Sequence, residues 1–256
     1  MLKALGSGAS GLNAQQLRVD LLANNLANIS TTGFKKSTPR FAELISQELL
    51  KSGIPVAEGM EQAELGSGVK VAEITREYEQ GDLTETGKQT DLAINGEGFF
   101  RVLTPDGQER YTRDGSFSLD QMGHMVTDDG CRLDGIQIRP GANKIIISQK
   151  GIVHSLDDAG ITAAGQINLY RFSNVKGLQA EGKNLYSFSG NAIDIIAGRP
   201  GSDGFGEVRQ GYLELSNVNL IDELTNMIEA QRAYGFNARV VQTVDDFWSR
   251  ANNLRK

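Results

Sequence analysis

Residues 6 to 11, Gly-Ser-Gly-Ala-Ser-Gly, fit the spacing G-x-G-x-x-G, in which a backbone turn can hold the pyrophosphate of a dinucleotide. That chemistry needs a buried strand before the first glycine, so that the turn into the next helix aims N–H groups at the phosphates. It also needs an acidic residue about 20 positions later for the ribose. Here only five residues precede Gly6, they read as helix, and the first acidic residue, Asp20, falls in the same helical pattern. The glycines are assigned to a helix and no cofactor is expected.

The remaining reactive side chains assemble no better. Asp91, Asn95 and Gly96 match positions one, five and six of a calcium loop, but the position that must supply a bidentate carboxylate is Val102. His124 and His154 lack Cys, Asp or Glu at ligand spacing, and no metal site is expected. No G-x-S-x-G elbow is present to expose a nucleophilic serine. Cys131 stands alone, without a histidine at a spacing that argues for a reactive pair, and it excludes an internal disulfide. The chain is not expected to be an enzyme.

With chemistry set aside, the elements carry the information. A chain of 256 residues with 39% hydrophobic and 23% charged residues suffices for one large domain or two modest ones. The net charge of -6, without a basic stripe interleaved with aromatics, argues against nucleic acid as a partner. Gly6, Ser7, Gly8 and Ser10 interrupt any signal-peptide core, and no run approaches the roughly 18 apolar residues of a membrane span. Neither a cleaved leader nor direct membrane insertion is expected.

Leu5, Leu12, Val19 and Leu26 recur every seven residues, which predicts an amphipathic helix over residues 1–33, closed by Ser30, Thr31, Thr32 and a Gly33 able to take positive φ. Leu220, Met227, Tyr234, Val241 and Trp248 repeat the pattern in residues 216–256, with Asn219 as N-cap and Asp222 and Glu223 favouring the first turn. Between them, residues 69–215 read as short strands broken by turn dipeptides at 105–107, 114–115, 128–130 and 150–151. Residues 34–68 read as a linking arm, with a short helical start around Phe41 to Leu50 and then loosened by Pro55 and by glycines at 53, 59, 66 and 68. Residues 198–208 read as an exposed loop. The fold class is α+β: long terminal helices of coiled-coil type flanking a β-rich, mainly antiparallel centre. Each helix has an apolar stripe to bury, against the other or against another molecule.

The stretch SGLNAQQLRVDLLANNLANISTTGFKK, with its core Asn24-Asn25-Leu26-Ala27-Asn28 and then Thr32-Gly33-Phe34-Lys35, resembles the N-terminal signature of the bacterial flagellar rod and hook axial proteins. The run from Gly211 to Val241 is similar to that family's C-terminal signature, and GEGFFRV with YTRDGSF in the middle is of the same kind. The arm and the SNVN-to-AQRAY string most resemble the distal rod branch, while proximal rod and hook subunits share the termini. Gly235 and Phe236 depart from the usual pattern after Ala-Tyr.

The resemblance implies a structural subunit of the basal body that stacks helically with copies of itself. Its implied partners are other rod proteins, the hook protein, the surrounding ring proteins and the flagellar type III export apparatus. The implied polymerisation interface comprises Leu5, Gly8, Gly11, Leu12, Val19, Asn24, Asn25, Leu26, Asn28, Leu220, Leu224, Met227, Tyr234, Val241 and Trp248. On the heptad, Gly8 and Gly11 lie beside the seam, where a missing Cβ admits a neighbouring helix, and Gly6 points away. Competing readings are a secreted β module on a helical stalk and a dimeric coiled-coil scaffold.

Overall fold

Two helices bracket the chain. In a computed structural model that describes residues 2–44, 47–48, 64–139, 142, 144–157 and 160–253, α1 spans Leu2–Ala27 and α2 spans Leu220–Asn253. α1 ends in a turn where Thr31 N donates to Asn28 O at 3.1 Å, and Gly33 takes φ of 65°, as the sequence predicts. α2 starts at the predicted cap: Asn219 Oδ1 accepts from Ile221 N at 2.9 Å, satisfying one of the four orphan donors of a helix start. At 34 residues α2 is on the order of 50 Å long.

The chain divides into two units of discontinuous segments. The first is Met1–Ala27, Lys36–Glu77 and Val218–Lys256; the second is Asn28–Lys35 and Tyr78–Asn217.

In the first unit, the strand Ser37–Glu43 pairs antiparallel with Val69–Arg76, with a register shift between Arg40 and Phe41. A separate short pair sets Gln47–Glu48 against Glu64–Leu65. Phe41 to Glu43 are therefore strand where a helical start was expected, and Val69–Arg76, expected at the edge of the central domain, belongs with the helices. The reason is non-local: each strand finds its ladder partner some thirty residues away, and that pairing overrides local preference. Gly53, Pro55 and Gly59 lie outside the described residues.

The second unit is the β-rich centre. Its largest sheet runs in the order Leu178–Gly182, Leu185–Phe188, Glu109–Thr112, Phe99–Leu103, Arg132–Leu133, Met125–Val126 and Ser118–Leu119, with Leu169–Phe172 also paired to Phe99–Leu103 and to Ile195–Gly198. A meander of Lys144–Ile147, Ile152–Asp157 and Gly160–Gln166 forms a second sheet, and all pairings described are antiparallel. Phe100, Phe117, Ile138, Ile167 and Leu169 are fully buried in one core cluster. Phe99, Tyr111, Tyr170, Phe172 and Tyr186 form another, in which most ring pairs meet edge to face. Three of the predicted turns link paired or sequential strands through Gly107, Gly130 and Gly151 at φ near 80°. Gly115 differs: its φ is not positive, and a Cβ there would lie 1.5 Å from Leu92 O, so the glycine permits a close backbone approach. The 198–208 segment leads from one strand into Glu207–Gln210, with an exposed loop over 201–204.

Candidate assembly surface

Small residues set the spacing of the helices in the first unit. A Cβ built on Gly8 would meet Val241 Cγ2 at 2.8 Å and one on Gly11 would meet Asn237 Nδ2 at 2.9 Å, while nothing lies within 4 Å of such an atom on Gly6. Arg18 Nη2 donates to Asn226 Oδ1 at 3.3 Å and Asn25 Nδ2 to Glu223 Oε2 at 3.1 Å. Positions advancing on α1 meet positions receding on α2, so the two helices pair antiparallel within one chain. The close approaches at positions 8 and 11 need glycine, and the opening motif supplies it.

Ser10, inside the same motif, turns toward the ribbon. Its Oγ–H donates to Ser7 O at 2.9 Å and its oxygen accepts from Val69 N at 3.2 Å, while a Cβ on Gly68 would fall 2.3 Å from that oxygen. The segment that matched a phosphate loop is thus a helix wedged between α2 on one side and a β ribbon on the other.

At the far end of the pair sits a buried polar clasp. Asn25 is 0% exposed; its Oδ1 accepts from Ser37 N at 3.0 Å and its Nδ2 donates to Ser37 O at 2.9 Å as well as to Glu223. Glu223, also 0% exposed, binds Lys36 Nζ through Oε1 at 2.7 Å. Burial lowers the affinity of the Lys36 ammonium for its proton, but the hydrogen bond and charge of Glu223 outweigh it and hold Lys36 above the ordinary lysine range. A buried carboxylate is tolerable only when it is paired, and here Oε2 accepts from Asn25 while Oε1 faces the Lys36 ammonium.

The expected interface residues divide between this intrachain seam and the surface. Leu5, Leu12, Val19, Leu26, Met227 and Val241 are half-buried, and Gly8 and Gly11 lie against α2. Asn24 is on the surface, Asn25 is in the clasp, and Asn28 forms the turn after α1, accepting from Thr31 Oγ1 at 3.2 Å. Leu220, Leu224, Tyr234 and Trp248 are exposed. Ile221 at 73%, Ile228, Phe236 at 63%, Val240 and Phe247 are exposed on α2 as well, a density of apolar side chains that a surface helix does not ordinarily show to solvent.

Sequence reasoning missed two groups. Glu223 and Ser37, half of the clasp, carry no periodic signal, although Glu223 in a first turn was visible. In the second unit, Lys35, Arg113 and Glu214 form a buried ion cluster: Lys35 Nζ to Glu214 Oε1 is 2.6 Å and Arg113 Nη1 to Glu214 Oε2 is 3.3 Å. Glu214 Oε1 also accepts from Gly81 N at 3.0 Å and Lys35 Nζ donates to Glu79 O at 2.6 Å. Burial pulls the Lys35 ammonium below the usual lysine range despite the pull of Glu214. Among the described residues, no three His, Cys, Asp or Glu side chains converge as metal ligands, and no helix is long and apolar enough to cross a membrane.

The comparisons with known proteins fall on these elements. A sequence model of the flagella basal body rod protein matches residues 5–35, one of the flagellar hook protein FlgE/F/G D1 domain matches 93–155, and one of the flagellar basal body rod FlgEFG protein C-terminal region matches 209–254. The chain is 43% identical over 264 residues to the flagellar basal-body rod protein FlgG of Borreliella burgdorferi, covering 100% of both. It is 41% identical to that of Buchnera aphidicola subsp. Schizaphis graminum, over 99% of this chain and 100% of the relative, and 38% identical to that of Bacillus subtilis over 100% of both.

Proposed function

The chain belongs to the FlgG family of flagellar basal-body rod proteins, and on that premise we propose that it is a structural subunit of the distal rod, stacking helically with its copies into the shaft that carries torque from motor to hook. One observation carries the assembly mechanism: the α1–α2 pair occupies one side of α2 and leaves Ile221, Leu224, Ile228, Phe236 and Phe247 on the other side in solvent. At about 25 cal/mol per Å2, an apolar strip of this length favours burial against another helix. A contact of this kind between non-equivalent faces, repeated by rotation and rise, builds an open filament. Rod and hook subunits at the ends of the shaft, ring proteins around it and the export apparatus that delivers the subunits are the partners this reading implies. No chemistry is assigned to the chain.

Electron microscopy of concentrated protein tests the reading. Tubes of constant diameter are expected, and Phe236→Asp or Ile228→Asp should abolish them by placing a charge in the strip. Discrete dimers in place of tubes, or normal tubes from both variants, would overturn it.

A further inference from the structure

Gly11, Arg18 and Asn25 stand seven apart on α1 and meet Asn237, Asn226 and Glu223, and on α2 the buried Ala230 and half-buried Val244 occupy the same heptad position as Glu223 and Asn237. The half-buried flank Leu5, Leu12, Val19 and Leu26 repeats the same way. A slide of one heptad sets Gly11 opposite Ala230 or Val244 and Gly8 opposite Tyr234 or Trp248 in place of Val241, while small residues such as Ala14 and Ala230, both buried, offer it little interlocking.

The clasp is the buried polar part that does not repeat. One slide sets Asn25 opposite Ala230 and carries Glu223 to position 32, beyond the end of α1; the other sets Asn25 opposite Ser216, before α2 begins. Each slide separates the Asn25 amide from Glu223 and leaves a fully buried polar group without its partner. We propose that Asn25 and Glu223 fix the register of α1 against α2, acting as positioning residues and not chiefly as a source of stability. Ser37 N and O hold the Asn25 amide in one orientation, so the clasp reads a single alignment. The importance of register for assembly rests on the rod reading, because alignment decides which side chains of the two helices share the exposed face.

Disulfide trapping in dilute, unassembled protein tests this, in a Cys131→Ala background. A Cβ at position 11 lies 3.5 Å from Asn237 Cγ, so Gly11→Cys with Asn237→Cys reports the observed register. Gly11→Cys with Val244→Cys, or with Ala230→Cys, reports the two slides. With the clasp intact, the 11–237 pair should cross-link at least about tenfold faster than either slid pair, the preference that stranding a buried polar group implies. In Asn25→Leu/Glu223→Leu that preference should fall about tenfold or more while helicity by circular dichroism is retained. Helical protein that keeps the full native preference would overturn the proposal. Should the leucine variant fail to fold, Asn25→Ala/Glu223→Gln removes the pair without adding bulk, and the same two results decide. The trap is read within one chain, so its outcome does not depend on whether filaments form.

Discussion

An alanine at Gly6 would gain helix propensity and touch nothing, whereas one at Gly8 would meet a methyl group of Val241 inside any real contact distance. Gly6→Ala is therefore expected to stabilise the first unit by roughly 0.5–1 kcal/mol, and Gly8→Ala to lose that gain to the clash and end below wild type. Urea unfolding followed by helical circular dichroism checks both signs. Lys36 gives a pH test at the same scale. Its proton is held more tightly in the folded state than the ordinary value of 10.5, so its contribution is fully present below that pH and is lost as pH rises through the raised folded value. Lys36→Met should accordingly lower stability by roughly 1–3 kcal/mol near neutrality, since it strands the buried Glu223 carboxylate, and the gap from wild type should narrow in strongly alkaline solution. A gap that stays constant from neutral to strongly alkaline pH would contradict the assignment. The glycine spacing was legible in the sequence down to which glycine pointed away, but the clasp was not, because three of its four members come from segments whose proximity only the fold creates.

The two sides of α2 predict different failures. Val241 lies against Gly8, so Val241→Asp should weaken the helix pair itself by about 2 kcal/mol or more, visible as a loss of helicity in the monomer. Ile228→Asp, on the exposed side, should leave monomer helicity unchanged and act on association alone. If both variants lost helicity equally, the division of α2 into an intrachain and an outward side would be wrong. Both helices were readable from periodicity, yet the apolar string Leu220, Met227, Tyr234, Val241, Trp248 is not one buried row: Val241 meets Gly8, whereas Leu220, Tyr234 and Trp248 are exposed. The intrachain contacts of α2 with α1 fall on Glu223, Asn226, Asn237 and Val241, and three of those four are polar. A search for apolar repeats therefore passes beside most of them. The ribbon was unreadable for another reason: Ser37–Glu43 is strand only because Val69–Arg76 returns to it, and no local pattern announces a partner that distant.

For the molecule as a whole, the sequence zones of helix, β domain and helix translate into two units that each draw on separated stretches of chain. The β-rich centre and most of its turns were legible because Gly and Asp mark hairpins locally. The closing of that unit was not, since it depends on Lys35 from the N-terminal signature and Glu214 from the C-terminal one meeting Arg113 in the interior. This cluster gives the molecule a test of its division. Glu214→Gln leaves two buried cations facing a neutral amide, and the second unit should lose about 3–5 kcal/mol. The lone tryptophan, Trp248, sits on α2 in the first unit, while Tyr111, Tyr170 and Tyr186 cluster in the second. The tyrosine near-ultraviolet signal should then melt at lower denaturant than in wild type, with the tryptophan transition of the unassembled protein unmoved. Coincident shifts of both signals would mean that the two units unfold as one, and that the stability of the helix pair is tied to that of the β centre.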